Sequence, residues 1–400
     1  MYLSIMKPEV LQEVAVLGRG IWVVEGPDGP TLVVKTGKEF ILAARERREL
    51  KLYLAPYESD DGDITGLTLL TACFDDSRSP LTIKTPLLGE HPLTLALRSF
   101  PDDFCVCFFD EHNRELLSCS AQAQFDELRE HAGSFSPLER EHWHTMMDQA
   151  DVWFSHTTAE DDARAMTVRL LDDLFPSDFL ITDFTRQGFQ GSAGFSNTQL
   201  ERPEPGPLQE LDIIYLLQRA YSAEQIIHGP LKVSDSEELV DVLVLGNEVT
   251  LLLQAKDSPN TAAILGTTLE RKRKKAVSQL KDGLSQLRGA LSTIRREGNP
   301  PLKLVNGSHL NIDLAARPIV GVVVVKELFI DTYDEYGAMI LKFMDEVHIR
   351  VLAFDYNEFE VMTRHCPSEQ ALLSAFWQIS ECTVERRTYP KLQFTESPPR

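Results

Sequence analysis

Six cysteines stand in 400 residues, and no two are spaced as CxxC. Cys73, Cys105, Cys107, Cys119, Cys366 and Cys382 therefore form no redox or thiolate-metal motif. The expectation is buried thiols in a reducing compartment. No apolar run approaches the roughly 20 residues that span a bilayer. The opening residues, MYLSIMKPEVLQEV, hold no basic start, long apolar core or small-residue cleavage site. A cytoplasmic chain with no membrane contact is expected. Basic residues are few, 40 against 61 acidic, for a net charge of −21. Such a chain is no general binder of polyanions. No Gly-Lys-Ser/Thr follows Gly191-Ser192-Ala193-Gly194, which excludes a Walker phosphate loop.

What is present centres on residues 236–256, SEELVDVLVLGNEVTLLLQAK. Two apolar runs of strand length, ELVDVLVL and EVTLLLQA, flank Gly246-Asn247, a hairpin signal. Both runs are apolar at consecutive positions, as in strands covered on two faces. Asp241, Gln254 and Lys256 interrupt that pattern. Gln254 and Lys256 are two apart and share a face. A tight hairpin brings Asp241 opposite the end of the second strand, so the three groups meet at a sheet edge. Burying an unpaired amide costs roughly 2 kcal/mol or more, and a charge costs more. A divalent cation would offset that cost.

An Asp, a hairpin and then (Asp/Glu/Gln)-x-Lys resembles the core of the PD-(D/E)XK nuclease superfamily. Gln254-Ala255-Lys256 is similar to its Mrr-like branch of restriction endonucleases, in which glutamine replaces the usual acid. The resemblance covers about residues 205–330 and implies an αβββαβ core. It implies catalytic roles for Asp241, Gln254 and Lys256. It also implies Mg²⁺ or Mn²⁺ held by Asp241, Gln254 and the Ala255 carbonyl. Glu210, Glu237 and Glu238 stand as candidates for a further acid.

The surrounding order of elements suits that core. Pro207 opens the helix LQELDIIYLLQRAYSAEQII, and Ile226–Val233 supplies a first strand. After the hairpin, Leu280, Leu284, Leu287, Leu291 and Ile294 form one helical stripe. IVGVVVV then reads as a buried parallel strand. The helix region 268–296 holds 9 basic and 2 acidic residues, whereas 101–200 holds 6 and 19. Arg271, Lys272, Lys274, Lys275 and Gln279 are the candidate nucleic-acid contacts.

The whole chain is expected to be α+β and multidomain. Residues 1–125 read as a β-rich domain for recognition or oligomerisation. Strands are expected at IWVVEG, TLVVKTG, GLTLLTACF, SPLTIKTPLL, HPLTLALRSF, DFCVCFF and ELLSCSA, with one helix near 38–50. Residues 126–205 read as an acidic helical segment and linker. Within them, Ser136-Pro137 starts one helix, and a second runs from near Thr158 to Pro176. His142, His144 and His156 read as surface histidines, and Asp60, Asp61 and Asp63 as an exposed turn. Residues 206–400 form the nuclease-like domain with a C-terminal extension. Two functions follow. One is a metal-dependent DNA endonuclease, in restriction or phage defence, with a partner protein or second copy bound through the N-terminal domain. The other is a non-catalytic scaffold whose acidic surface binds a basic partner.

Overall fold

A computed structural model describes residues 2–58, 64–74, 80–87, 92–131, 142–176, 180–183, 188–192, 196–298 and 300–392. The expected Asp60–Asp63 turn and the Ser136-Pro137 helix start lie outside the described residues. The architecture is mixed α and β with several sheets. Among the described residues, no helix is long and apolar enough to cross a membrane.

The chain divides into two compact units. The first is Met1–Phe179 with Gln199–Glu201 and Asn260–Thr267, and the second comprises the rest. The first unit is built on β1 (Gly20–Gly26), β2 (Gly29–Lys35), β3 (Glu49–Glu58), β4 (Ile64–Cys73), β5 (Leu81–Leu87), β6 (Asp103–Phe109), β7 (Glu115–Gln122) and β8 (Met166–Asp173). They form one sheet in the order β1-β2-β6-β7-β8-β3-β4-β5. Among these eight described strands, only β2 and β6 pair in parallel. The expected helix appears at Lys38–Arg47 and buries Phe40, Ile41, Leu42, Ala43 and Ala44.

Three expectations change here. HPLTLALRSF is not a strand, because Pro92–Arg98 is helical. Leu93 and Leu97 are buried while Leu95 is exposed, a four-residue rather than two-residue spacing. The second acidic helix ends at Arg164, and β8 follows. Met166, Val168 and Leu170 point inward and Arg169 outward, so the period is two. This strand pairs with β3 and β7, so no structural break falls at residue 125.

The second unit contains β9 (Ile181–Asp183) and β10 (Ser196–Thr198), paired with each other. It continues with β11 (Ile226–His228), β12 (Leu231–Lys232), β13 (Val242–Leu245), β14 (Thr250–Lys256), β15 (Leu302–Lys303), β16 (His309–Leu310), β17 (Ile319–Val325) and β18 (Arg350–Asp355). The expected linker is therefore not bare loop, and its Phe189 packs in the core of this unit. The main sheet has the order β11-β13-β14-β17-β18. Its first three strands are antiparallel, and β17 and β18 add in parallel.

Helix Leu269–Glu297 crosses from β14 to β17. It buries all five residues of the expected stripe. Each such side chain contributes about 1.5–3 kcal/mol relative to exposure. The helix packs tightly on the sheet at Gly283, where a Cβ would lie 2.6 Å from Val323 Cγ1 and 3.6 Å from Lys256 Cγ. Alanine is a better helix former than glycine by about 1 kcal/mol. Gly283→Ala should nevertheless lower stability by about 1–3 kcal/mol, because Val323 is fully buried and β-branched and cannot swing aside. Urea melts measure this, and a stabilised variant would contradict the packing.

Candidate functional site

The Gly246-Asn247 connection closes β13 on β14, with Leu245 opposite Thr250 and Val242 opposite Leu253. One step further, Asp241 stands opposite Gln254. Asp241 lies just before β13 rather than in mid-strand. The reason is the Gly229-Pro230 break, with Gly229 at φ +51°, which splits the expected strand 226–233 into β11 and β12. There Gly229 N donates to Asp241 O at 2.9 Å and Leu239 N to Pro230 O.

Asp241 and Gln254 are both buried. Asp241 Oδ2 accepts from Ala255 N at 2.7 Å. Lys256 Nζ lies 3.5 Å from the same oxygen and donates to Ala255 O at 3.0 Å. Asp241 and Lys256 therefore meet at the backbone of Ala255, next to Gln254 in the same strand. The group does not lie at a lateral sheet edge, because β14 is the central strand. It sits at the strand's C-terminal end, in register with Val325 of β17, and Val325 is in register with Asp355 of β18. The carboxyl ends of parallel strands are where open α/β sheets bind ligands.

The three candidate acids separate. Glu237 is exposed and lies 3.5 Å from Lys232, so it is outside the cluster. Adjacent residues in an extended segment face opposite ways. Glu238 is exposed too, but its carboxyl reaches back over the Gly229 turn, where a Cβ on Gly229 would lie 3.0 Å from Glu238 Oε1. Glu210, on helix Gly206–Leu217, lies 2.7 Å from His228 Nε2. Burial first, then the negative charges of Asp241 and Glu210, push Glu238 up to about 7, against the pull of His228 and Lys256. Burial also raises Asp241, with the Lys256 ammonium and the Ala255 N–H opposing it. Glu210, Glu238 and Asp241 thus crowd one another. His228 escaped the sequence reading. Its only signal was a polar residue ending an apolar strand before Gly-Pro.

That crowding fixes a pH dependence. In the folded chain Glu238 binds its proton more tightly than in the unfolded chain. Between about pH 4.5 and 7 the folded state holds a proton that the unfolded state has lost. Stability is full below this window and declines as pH rises through it. Glu238→Gln should match the parent near pH 4.5 and exceed it at pH 8. The gain is about 1 kcal/mol or less, because solvent screens the charge of an exposed group. Thermal melts at the two pH values decide it, and parallel pH profiles would refute the crowding.

Gln279 is not a surface contact. It falls on the inward face with Ala276, Leu280 and Gly283. Its Nε2 donates to Asp257 O at 2.8 Å and Ser258 Oγ at 2.9 Å, holding the turn after Lys256. Arg271, Lys274 and Lys275 are exposed and Lys272 is half-buried. Lys274 pairs with Glu270 one turn earlier, at 2.6 Å.

The donors suit a hard cation in kind. They are carboxylates, an amide oxygen and a peptide carbonyl. The ammonium of Lys256 already lies beside the Asp241 and Ala255 oxygens, so these atoms accept a positive charge. Among the described residues no three His, Cys, Asp or Glu side chains form a ready metal cluster. The expected ligand set does not need one, since Gln254 and Ala255 supply neutral oxygens.

No relative identifies the chain. No family model, curated protein or solved structure matches it.

Proposed function

We propose that this protein is a metal-dependent endonuclease of PD-(D/E)XK type, acting on DNA phosphodiester bonds in restriction or phage defence. The observation that carries the reading is the Asp241–Ala255–Lys256 arrangement at the carboxyl end of the central strand. The order of helix Gly206–Leu217, β11, β13, β14, helix Leu269–Glu297 and β17 supports it. Asp241, Gln254 and the Ala255 carbonyl would hold Mg²⁺ or Mn²⁺, with Glu210 and Glu238 as the nearby acids. A bound divalent ion supplies a Lewis acid and an acidified water.

The chain's own residues do the rest. Asp241, kept beside Lys256, fixes the orientation of the Ala255 peptide. Lys256 brings a positive charge to the negative charge that develops on the phosphate under attack. Gln279 holds the backbone that follows Lys256. The exposed basic turn of helix Leu269–Glu297 binds backbone phosphates. In this reading the first unit recognises the target, a partner protein or a second copy.

Supercoiled plasmid, incubated with the full chain and millimolar Mg²⁺ or Mn²⁺, tests the reading. The parent should nick or linearise it. Lys256→Ala should lower the rate roughly 100-fold or more. Excess EDTA should stop the reaction. An intact plasmid in both metals, or full cleavage in EDTA, overturns the proposal.

A further inference from the structure

The side chain that no part of the proposed chemistry uses is His228. It ends β11, where its register with Val242 places it beside the Asp241 backbone. One side of the ring meets Phe189 edge to face, with centroids 5.2 Å apart. Phe189 is itself buried in the core, so the ring has a fixed backing. The Nε2 atom lies 2.7 Å from Glu210 Oε2. An ionised carboxylate has no hydrogen to give, so Nε2–H donates and Glu210 accepts.

Glu210 needs such a restraint. Gly229, the residue after His228, donates its N–H to Asp241 O at 2.9 Å, and a Cβ on it would lie 3.0 Å from Glu238 Oε1. Glu210 therefore shares this corner with two other carboxylates, and like charges repel. A glutamate on a helix with water at hand would turn outward to relieve that repulsion. The imidazole offers a directed bond that holds it in place. Partners of this type orient ligating carboxylates in metal centres.

We infer that His228 is a positioning residue, which through its hydrogen bond holds the Glu210 carboxylate toward Glu238 and Asp241 as a further oxygen ligand for a divalent cation. The inference rests on the proposed reading of this site as a metal centre. It assigns His228 no contact with substrate and no proton transfer. Its function is to keep an acid where repulsion would displace it.

Equilibrium binding of Mn²⁺ alone to the full chain, followed by electron paramagnetic resonance, tests it without relying on cleavage. His228→Ala should weaken Mn²⁺ roughly ten- to hundredfold. His228→Gln, whose amide N–H reaches a similar position, should restore most of the loss. In a Glu210→Ala background, His228→Ala should add little, because the acid it acts through is gone. Thermal melts of each variant confirm folding. If Asp241→Ala abolishes binding and His228→Ala leaves it unchanged, the positioning role alone is overturned. Additive losses in the double variant, or no rescue by glutamine, also overturn it. If the parent binds no Mn²⁺, the metal reading falls and this inference falls with it.

Discussion

Asp241→Asn should fold at least as stably as the parent at pH 8 and lose cleavage roughly 1000-fold. The two effects separate because Asp241 has two relations to the fold. Its Oδ2 accepts the Ala255 N–H, and an asparagine oxygen, though a weaker acceptor, can still take it. Its charge, by contrast, costs the fold something, since burial raises Asp241 above its ordinary value despite the opposing Lys256 ammonium. Removing the charge keeps the bond and relieves Glu238. Asp241→Ala is a poorer test, because it leaves a buried N–H without this acceptor, at about 1–3 kcal/mol. Stability that rises as activity falls is the mark of a site held against the preference of the fold. A destabilised, fully active Asp241→Asn would make the carboxylate structural.

Charge reversal of Lys272, Lys274 and Lys275 to Glu should weaken DNA binding about 100-fold near 0.1 M salt, on every sequence alike. A chain of net charge −21 repels phosphate, so its binding must be local. These side chains stand on the first turns of helix Leu269–Glu297, where the helix dipole adds a partial positive charge. Each neutralised phosphate releases counterions, with a slope of about 0.9 per contact on a log–log salt plot. Loss of three contacts should lower that slope by about 3. Lys274 already pairs with Glu270, so its share should be the smallest of the three. Fluorescence anisotropy over a salt series measures both quantities. Unchanged affinity and slope would leave the run a solvated helix face.

Much of the second unit was legible before folding. Gly246-Asn247 marked the hairpin, and the steps of four and three from Leu280 to Ile294 marked the buried helix face. IVGVVVV marked a strand covered on both sides. These are local periods, and a period survives whatever the rest of the chain does. The first unit was less legible, because short segments carry too few repeats to fix one. Pro92–Arg98 and Met166–Asp173 each hold apolar residues compatible with two periods. Pairing of β8 with β3 and β7 settled the second of these. Gln279 was legible in principle, since the same stripe that buried Leu280 also turned it inward.

The residues Asp241, Gln254 and Lys256 could be singled out from sequence because they interrupt two apolar runs in one short hairpin. Alternation set Gln254 and Lys256 on one face, and turn length brought Asp241 opposite the end of their strand. The identity of the surrounding acids could not be read that way. Glu210, His228 and Glu238 come from a helix, an edge strand and an irregular turn. Their meeting depends on the antiparallel register of β11 against β13 and on the break at Gly229-Pro230. Glu237 and Glu238 are neighbours in sequence with the same side chain and both are exposed, and only the direction of the backbone turned one toward Lys232 and the other toward Gly229 and the cluster. Local pattern determined which residues are unusual. Long-range register and burial decided which of them share an electrostatic environment, because Coulomb repulsion and desolvation act through space and not along the chain.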